Sequence, residues 1–160
     1  MELDVTINLR MAKLQDLEVI NQYWWFLIQN QRLFDDRIIE SEINQSRSMN
    51  FLREKISQGS LYVAESKENE LLGIGSVTRD LHFLQTKIDV WNISDIWVRV
   101  EYRRMNIATK MVKLLEKIAF ESGAEEIRLT VYSGNEPAIN LYSNLGYNQL
   151  ITTFSKYNLS

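Results

Sequence analysis

The chain contains no cysteine. Without thiols it forms no disulfide, offers no thiolate nucleophile and builds no zinc-thiolate site. Its one histidine, His82, has no neighbour at metal-ligand spacing, so a surface or packing role is expected for it. No metal is therefore expected. No apolar run reaches the length that crosses a bilayer. The opening residues, Met1 to Val5, lack the basic and apolar regions of a secretory signal. Neither a Walker lysine motif nor a Gly-x-Gly-x-x-Gly turn occurs, which removes the common nucleotide-phosphate enzymes. There is no internal repeat, low-complexity tract or interdomain linker. Basic residues are outnumbered, 18 against 21, and the net charge of −3 speaks against a nucleic-acid surface and suits cationic small molecules. Together these absences leave a single cytoplasmic domain over residues 1–160, with no membrane or nucleic-acid partner.

What is present is enough for one sizeable core: 160 residues, 45% apolar and 11% aromatic. Residues 6–11 read as a strand, 16–29 as a helix, and the polar stretch 30–48 as a loop or broken helix. Met49, Leu52 and Ile56 give a second helix closed by Gly59. Strands follow at 61–65 and 71–78, joined by the polar turn Lys67 to Glu70. In the second of these, Gly73 and Gly75 share a face that something approaches closely. A fourth strand is predicted over 88–98, with Trp91, Ile93, Asp95 and Trp97 on one face and Asn92, Ser94, Ile96 and Val98 on the other. A helix begins at Ile107 and stops at Gly123, and a fifth strand spans 127–132. A short helix opens at Asn135, with Pro137, the only proline, in its first turn. Residues 147–157 return as one long strand or a tight hairpin. The order β-α-α-β-β-β-α-β-α-β describes an α/β sheet covered by helices on both faces.

The stretch Asp95 to Thr109 organises this pattern. A strand ends at Val100, a basic turn follows, and Ile107, Met111, Leu114, Leu115 and Ile118 then mark one helix face. A strand that delivers a basic turn to an open helix N-terminus makes an anion site, because the first amides lack intrahelical partners and the helix dipole adds positive potential. Arg103 and Arg104 add full charges, and phosphate is the natural guest. Asp95 is informative because a carboxylate inside a strand needs a partner or water. Two readings are open: a structural hydrogen bond or salt bridge, and a charge that faces a cationic substrate. Of Trp24 and Trp25, one ring is expected in the core and the other partly exposed, where it can wall a substrate.

Arg103, Asn106 and Ala108 resemble the Gln/Arg-x-x-Gly-x-Gly/Ala pyrophosphate loop of the GNAT superfamily of N-acetyltransferases. Asn106 stands where the family has Gly, and Asn is the residue best able to replace Gly at positive φ. Asn106 is therefore expected in a left-handed conformation. Asn135-x-x-Ala138-x-x-x-Tyr142, with Gly146-Tyr147 after it, is similar to a second GNAT signature. It lies at the family separation from the first, with the expected helix and strand between.

The resemblance implies a mixed, mostly antiparallel sheet that binds acetyl-CoA, as co-substrate, where strands four and five splay apart. Backbone groups of Trp97, Val98, Arg99 and Val100 would hold the pantetheine arm. The turn Arg103, Arg104, Met105, Asn106, Ile107, Ala108 and Thr109 would take the pyrophosphate. Asn135 would position the arm and Tyr142 would protonate the leaving thiolate. Backbone N–H groups of the fourth strand would polarise the carbonyl. The base is Asp95 or a water chain that ends at a carboxylate. The acceptor is a small-molecule or peptide amine, with a cationic primary amine expected from the acidic charge. A homodimer is the expected assembly, since many proteins of this fold dimerise. The competing class is a GNAT-like module that binds an acyl-CoA without turnover.

Overall fold

The computed structural model describes residues 6–82 and 84–158; Met1 to Val5, weighed above for an export signal, lie outside them. The chain divides into two compact units, Met1–Thr130 and Val131–Ser160. The first holds strands β1 (Asn8–Met11), β2 (Leu61–Glu65), β3 (Leu71–Arg79), β4 (Val90–Val98) and β5 (Glu126–Arg128), with helices α1 (Leu17–Gln31), α2 (Glu42–Ser57) and α3 (Ile107–Glu121). The second holds α4 (Glu136–Asn144).

The sheet runs β1-β2-β3-β4-β5. Every pairing is antiparallel except the last, where β5 lies parallel to β4. Leu61, Val63, Ile74 and Trp97 turn one face of the sheet to Ile20, Tyr23 and Leu52 of α1 and α2. Ala64 and Val98 turn to Ile107 and Met111 of α3. Helices therefore cover both faces of the sheet. The close approach read from Gly73 and Gly75 is made by α3: a Cβ added at either glycine would meet Met111 at 3.3 Å. Arg10 ties the outer strands to α1, donating to Asp16 and Glu65 at 2.7 Å each.

The element order holds through α4, and the structure departs from expectation in four places. Helix α2 starts at Glu42 rather than near Met49, because the Ser41 hydroxyl caps the Asn44 N–H at 3.2 Å and the polar first half runs along solvent. Strand β5 stops at Arg128 instead of Tyr132; only Val90, Asn92 and the residue between them pair with it. No strand forms over 147–158, so the expected closing β element is absent among the described residues.

The fourth departure is inside β4. Ile74 pairs with Trp97 and Ser76 with Ser94, so Gly75 alone faces both Asp95 and Ile96. Two residues against one is a β-bulge, and Asp95 carries it at φ +58°. The bulge breaks the strict alternation expected over 88–98. Ser94 and Asp95, assigned to opposite faces by period two, point to the same side.

Candidate active site

Three features of the first unit converge on the C-terminal end of β4. The first is the turn into α3. Arg104 and Asn106 both have positive φ, +65° and +57°, on either side of Met105. Asn106 is the N-cap residue, in the left-handed region as expected, and its side chain makes no capping bond. The first amides of α3 therefore keep their donors for a guest. Such alternation of backbone hand aims successive N–H groups into one concavity, which suits an anion. Ile107 is buried and anchors the helix start, while Met105 and Ala108 pack beside it.

The arginines divide. Arg99 is held by Glu70 and lies 3.6 Å from Glu101, over the Tyr102 ring. The hydrogen bond from its guanidinium to Glu70 pushes its pKa further up. Arg103 donates from Nε to the Val98 carbonyl at 3.0 Å and lies over Trp97. Arg104 is exposed and, among the described residues, has no acidic partner.

The second feature is an open strand edge. Beyond Asn92, β4 pairs with no strand on its β5 side among the described residues. The Arg99 N–H reaches the Leu72 carbonyl at 2.9 Å, so Val98, one residue earlier, turns its N–H and C=O to the other, open side. Arg103 meets that carbonyl there, and the N–H remains on the open edge. Ile96 faces the same way. Trp97 faces β3 instead, with its ring buried against Tyr23 at 4.7 Å.

The third feature is a polar cluster that sequence reasoning found only in part. Asp95 Oδ2 accepts from Lys55 Nζ at 2.5 Å, from Ser76 at 2.5 Å and from Ser94 at 3.1 Å. Its Oδ1 accepts from the Trp24 indole at 3.1 Å. Burial alone would raise this carboxyl, but the charge of Lys55 and the bonds from Lys55, Ser76 and Trp24 outweigh it and hold it below the usual range. Lys55 also lies over the Phe51 ring, 4.7 Å from its centroid. Trp24 is thus the half-exposed ring of its pair, while Trp25 is buried and bonds Ser48. Lys55, Ser76 and Ser94 carry no spacing signal, since the chain brings them together only by folding α2 onto β3 and β4. His82 is exposed on the loop before β4, 3.6 Å from Asp80, and takes no part.

In the second unit, Asn135 is the N-cap of α4: its Oδ1 accepts from the Ala138 N–H at 3.4 Å. That bond fixes Asn135 at the start of α4, and it leaves the side-chain NH2 as a donor. Tyr142 sits edge-on to Tyr147, with ring centroids 6.1 Å apart. Burial pushes the Tyr142 phenol up, so it holds its proton at neutral pH. Among the described residues there is no group of carboxylates and histidines able to hold a metal, and no helix long and apolar enough to cross a membrane.

Comparison with known proteins bears on this geometry. The family described as "Acetyltransferase (GNAT) family" matches residues 19–147, a span that crosses both units. Over 58 residues the chain is 38% identical to the thialysine N-epsilon-acetyltransferase of Mus musculus, which covers 36% of this chain and 34% of that protein. Over 72 residues it is 36% identical to an N-alpha-acetyltransferase of Sulfurisphaera tokodaii, covering 44% and 43%. The matches thus span between a third and a half of these relatives. Among solved structures, one described as a predicted acetyltransferase with acetyl-CoA, from Clostridium acetobutylicum, superposes with a TM-score of 0.73 at 19% identity, covering 96% of this chain and 97% of that one. Glucosamine-6-phosphate N-acetyltransferase from Arabidopsis thaliana gives 0.69 at 18%, covering 95% and 98%. At these identities the solved structures speak for the fold.

Proposed function

We propose a function from one premise: the chain belongs to the acetyltransferase (GNAT) family. The function is transfer of an acetyl group from acetyl-CoA directly to a primary amine. The observation that carries it is the open edge of β4 running into a turn with two left-handed residues and an uncapped helix N-terminus.

These residues fit acetyl-CoA as a substrate. The concavity around Arg104 to Thr109 offers backbone donors and an arginine without an acidic partner, which suits a pyrophosphate. Arg103 lends charge from its anchor on Val98, and Arg99, matched by Glu70, adds little. The edge residues Trp97 to Val100 include the Val98 N–H, a donor for an amide-bearing arm. Acetyl-CoA supplies an activated thioester carbonyl. The amine forms the new C–N bond as the C–S bond breaks, and the proton lost by the amine balances the one gained by the thiolate. Edge N–H groups of β4 stabilise negative charge on the carbonyl oxygen. Asn135 and Tyr142 take their roles from the matched motif: the Asn135 amide orients the arm, and the neutral Tyr142 hydroxyl gives the thiolate its proton.

The relatives named for thialysine and for N-alpha acetylation both act on amines. We assign this chain a small cationic amine, with a peptide amine as the alternative, a homodimer as the assembly and the cytoplasm as the compartment. The acidic composition and the segment Asp35 to Glu42 supply the charge that favours a cation, whereas Asp95 contributes little because Lys55 matches its charge. The test pairs calorimetric titration of CoA with thiol release from acetyl-CoA across thialysine, spermidine, an aminoglycoside and a short peptide. Binding with turnover of one of them supports the reading. Binding without turnover makes the chain an acyl-CoA-binding module, and no binding at millimolar CoA overturns both.

A further inference from the structure

The ion pair of Lys55 and Asp95 is more enclosed than the reaction sketched above requires. The two side chains are 12% and 13% exposed. Besides Ser94 on β4 itself, donors reach Asp95 from three other elements: Trp24 on α1, Lys55 on α2 and Ser76 on β3. A carboxylate held this way is a poor general base, because both oxygens already accept hydrogen bonds and an ammonium lies on one of them. The backbone of Asp95 is equally constrained. It occupies the left-handed position of a bulge, where glycine is the usual resident and a side chain is strained. That conformation persists when surrounding contacts impose it, and this cluster supplies them.

The consequence lies one and three residues downstream. A bulge inserts one residue, so it decides which of the following residues present N–H groups to the open edge. With the bulge, Ile96 and Val98 face that edge and Trp97 faces β3. A strand without it would exchange these roles. Gly75 opposite leaves room: an added Cβ there would come within 2.7 Å of Ile96 Cδ1.

We propose that Lys55 and Asp95 form a positioning pair, whose ion pair locks the β4 bulge and so aims the Ile96 amide at the acetyl carbonyl and the Val98 amide at the arm that carries it. The inference rests on the acetyltransferase reading and deepens it. Lys55 acts through Asp95, and Asp95 acts through the backbone; neither takes a proton from the amine.

Variants separate this from base catalysis. Lys55→Met leaves a charged Asp95 without its partner on a strained backbone, and kcat should fall about a hundredfold, as for a misplaced catalytic group, with the Kd for CoA little changed. The double variant Lys55→Met/Asp95→Gly removes both charges, and glycine adopts the bulge conformation unaided. It should regain at least about tenfold in kcat over Lys55→Met alone. Lys55→Arg should keep most of the rate. Amide hydrogen exchange gives a second readout that needs no turnover: at Ile96 and Val98 it should change about tenfold or more in Lys55→Met and return toward wild type in the double variant. If wild type turns over and the double variant is as inactive as Asp95→Gly while CoA still binds, Asp95 is a base and the inference falls. If exchange at Ile96 and Val98 ignores Lys55→Met, the pair does not hold the bulge and the inference falls with or without turnover. Failure of the acetyltransferase reading looks different: wild type itself releases no thiol with any amine, whatever the exchange shows.

Discussion

Single residues decide whether the turn into α3 receives a pyrophosphate. Arg104 and Asn106 are the pair with positive φ, and they differ in what they contribute. Arg104 brings an exposed charge, so Arg104→Glu should weaken CoA at least roughly tenfold in a calorimetric titration, losing one charge-assisted contact and gaining a repulsion. Arg99→Glu should destabilise the protein rather than weaken CoA selectively, since it sets a carboxylate against Glu70. Asn106 contributes conformation. Asn106→Gly should keep or tighten CoA binding, whereas Asn106→Val should weaken it and cost about 1–2 kcal/mol in chemical denaturation, because a β-branched side chain resists the left-handed region. The left-handed Asn106 was legible in the sequence, through the family glycine it replaces. The same conformation at Asp95 was not, because a lone Asp in a strand pattern gives no such cue. Asp95 also leaves a pH signature. Its carboxyl lies below the usual range in the folded state, so the unfolded chain, with an ordinary Asp near about 3.9, binds the proton more tightly. Stability from this pairing is fully present above that pH and is lost as pH falls through the folded value. Melting temperature plotted below pH ~4 should therefore fall less steeply for Asp95→Asn than for wild type. Asp16 and Glu65, also held low by Arg10, should retain the rest of the slope.

At the scale of elements, β4 determines what the sheet can do. It pairs along its length with β3 but with β5 only near its start, and that inequality opens the edge. Apolar periodicity located α1 and α3 well, because each buries one face, and runs of β-forming apolar residues located β1 to β4. It missed the first half of α2, where solvent exposure erases the period and only the Ser41 cap marks the start. It overextended β5 and supplied a last strand over 147–157, since β-forming residues carry propensity but not a pairing partner. The bulge escaped for the same reason that Lys55 did: both are set by contacts across the sequence. Two glycines test this part of the sheet. A Cβ at Gly73 would approach the Trp97 carbonyl to 2.7 Å, and backbone cannot swing away. A Cβ at Gly75 would meet the end of the Ile96 side chain at the same distance, which can rotate. Gly73→Ala should thus destabilise by about 1–3 kcal/mol and Gly75→Ala by less. Equal losses in urea unfolding would mean that Ile96 is as fixed as the backbone beside it.

At the scale of the whole molecule, charge sets what arrives. The chain carries a net −3, yet its proposed phosphate turn is locally basic. In the proposed function an anionic co-substrate would be captured by short-range contacts against the overall field, while a cationic acceptor would be helped by that field. The segment Asp35 to Glu42 concentrates the effect: it holds four carboxylates and one arginine, Arg37, which is engaged with Asp35. Steering of this kind acts on encounter and is screened within a Debye length of about 10 Å at 0.1 M salt. The kcat/KM for the preferred amine should fall severalfold as salt rises from about 0.02 to 0.3 M, with kcat nearly constant. Replacing Asp36 with Asn and Glu40 with Gln should flatten that dependence. Asp95→Asn should not, because the carboxylate is matched by Lys55 at 2.5 Å and projects little field. Its effect belongs in kcat, where a positioning pair acts, and not in the salt slope. A rate indifferent to salt, or a preference for a neutral or anionic amine, would remove the acidic segment from acceptor recognition. Specificity would then rest on the aromatic surface of Trp24 and Phe51, whose ring centroids lie 6.0 Å apart beside the same cluster.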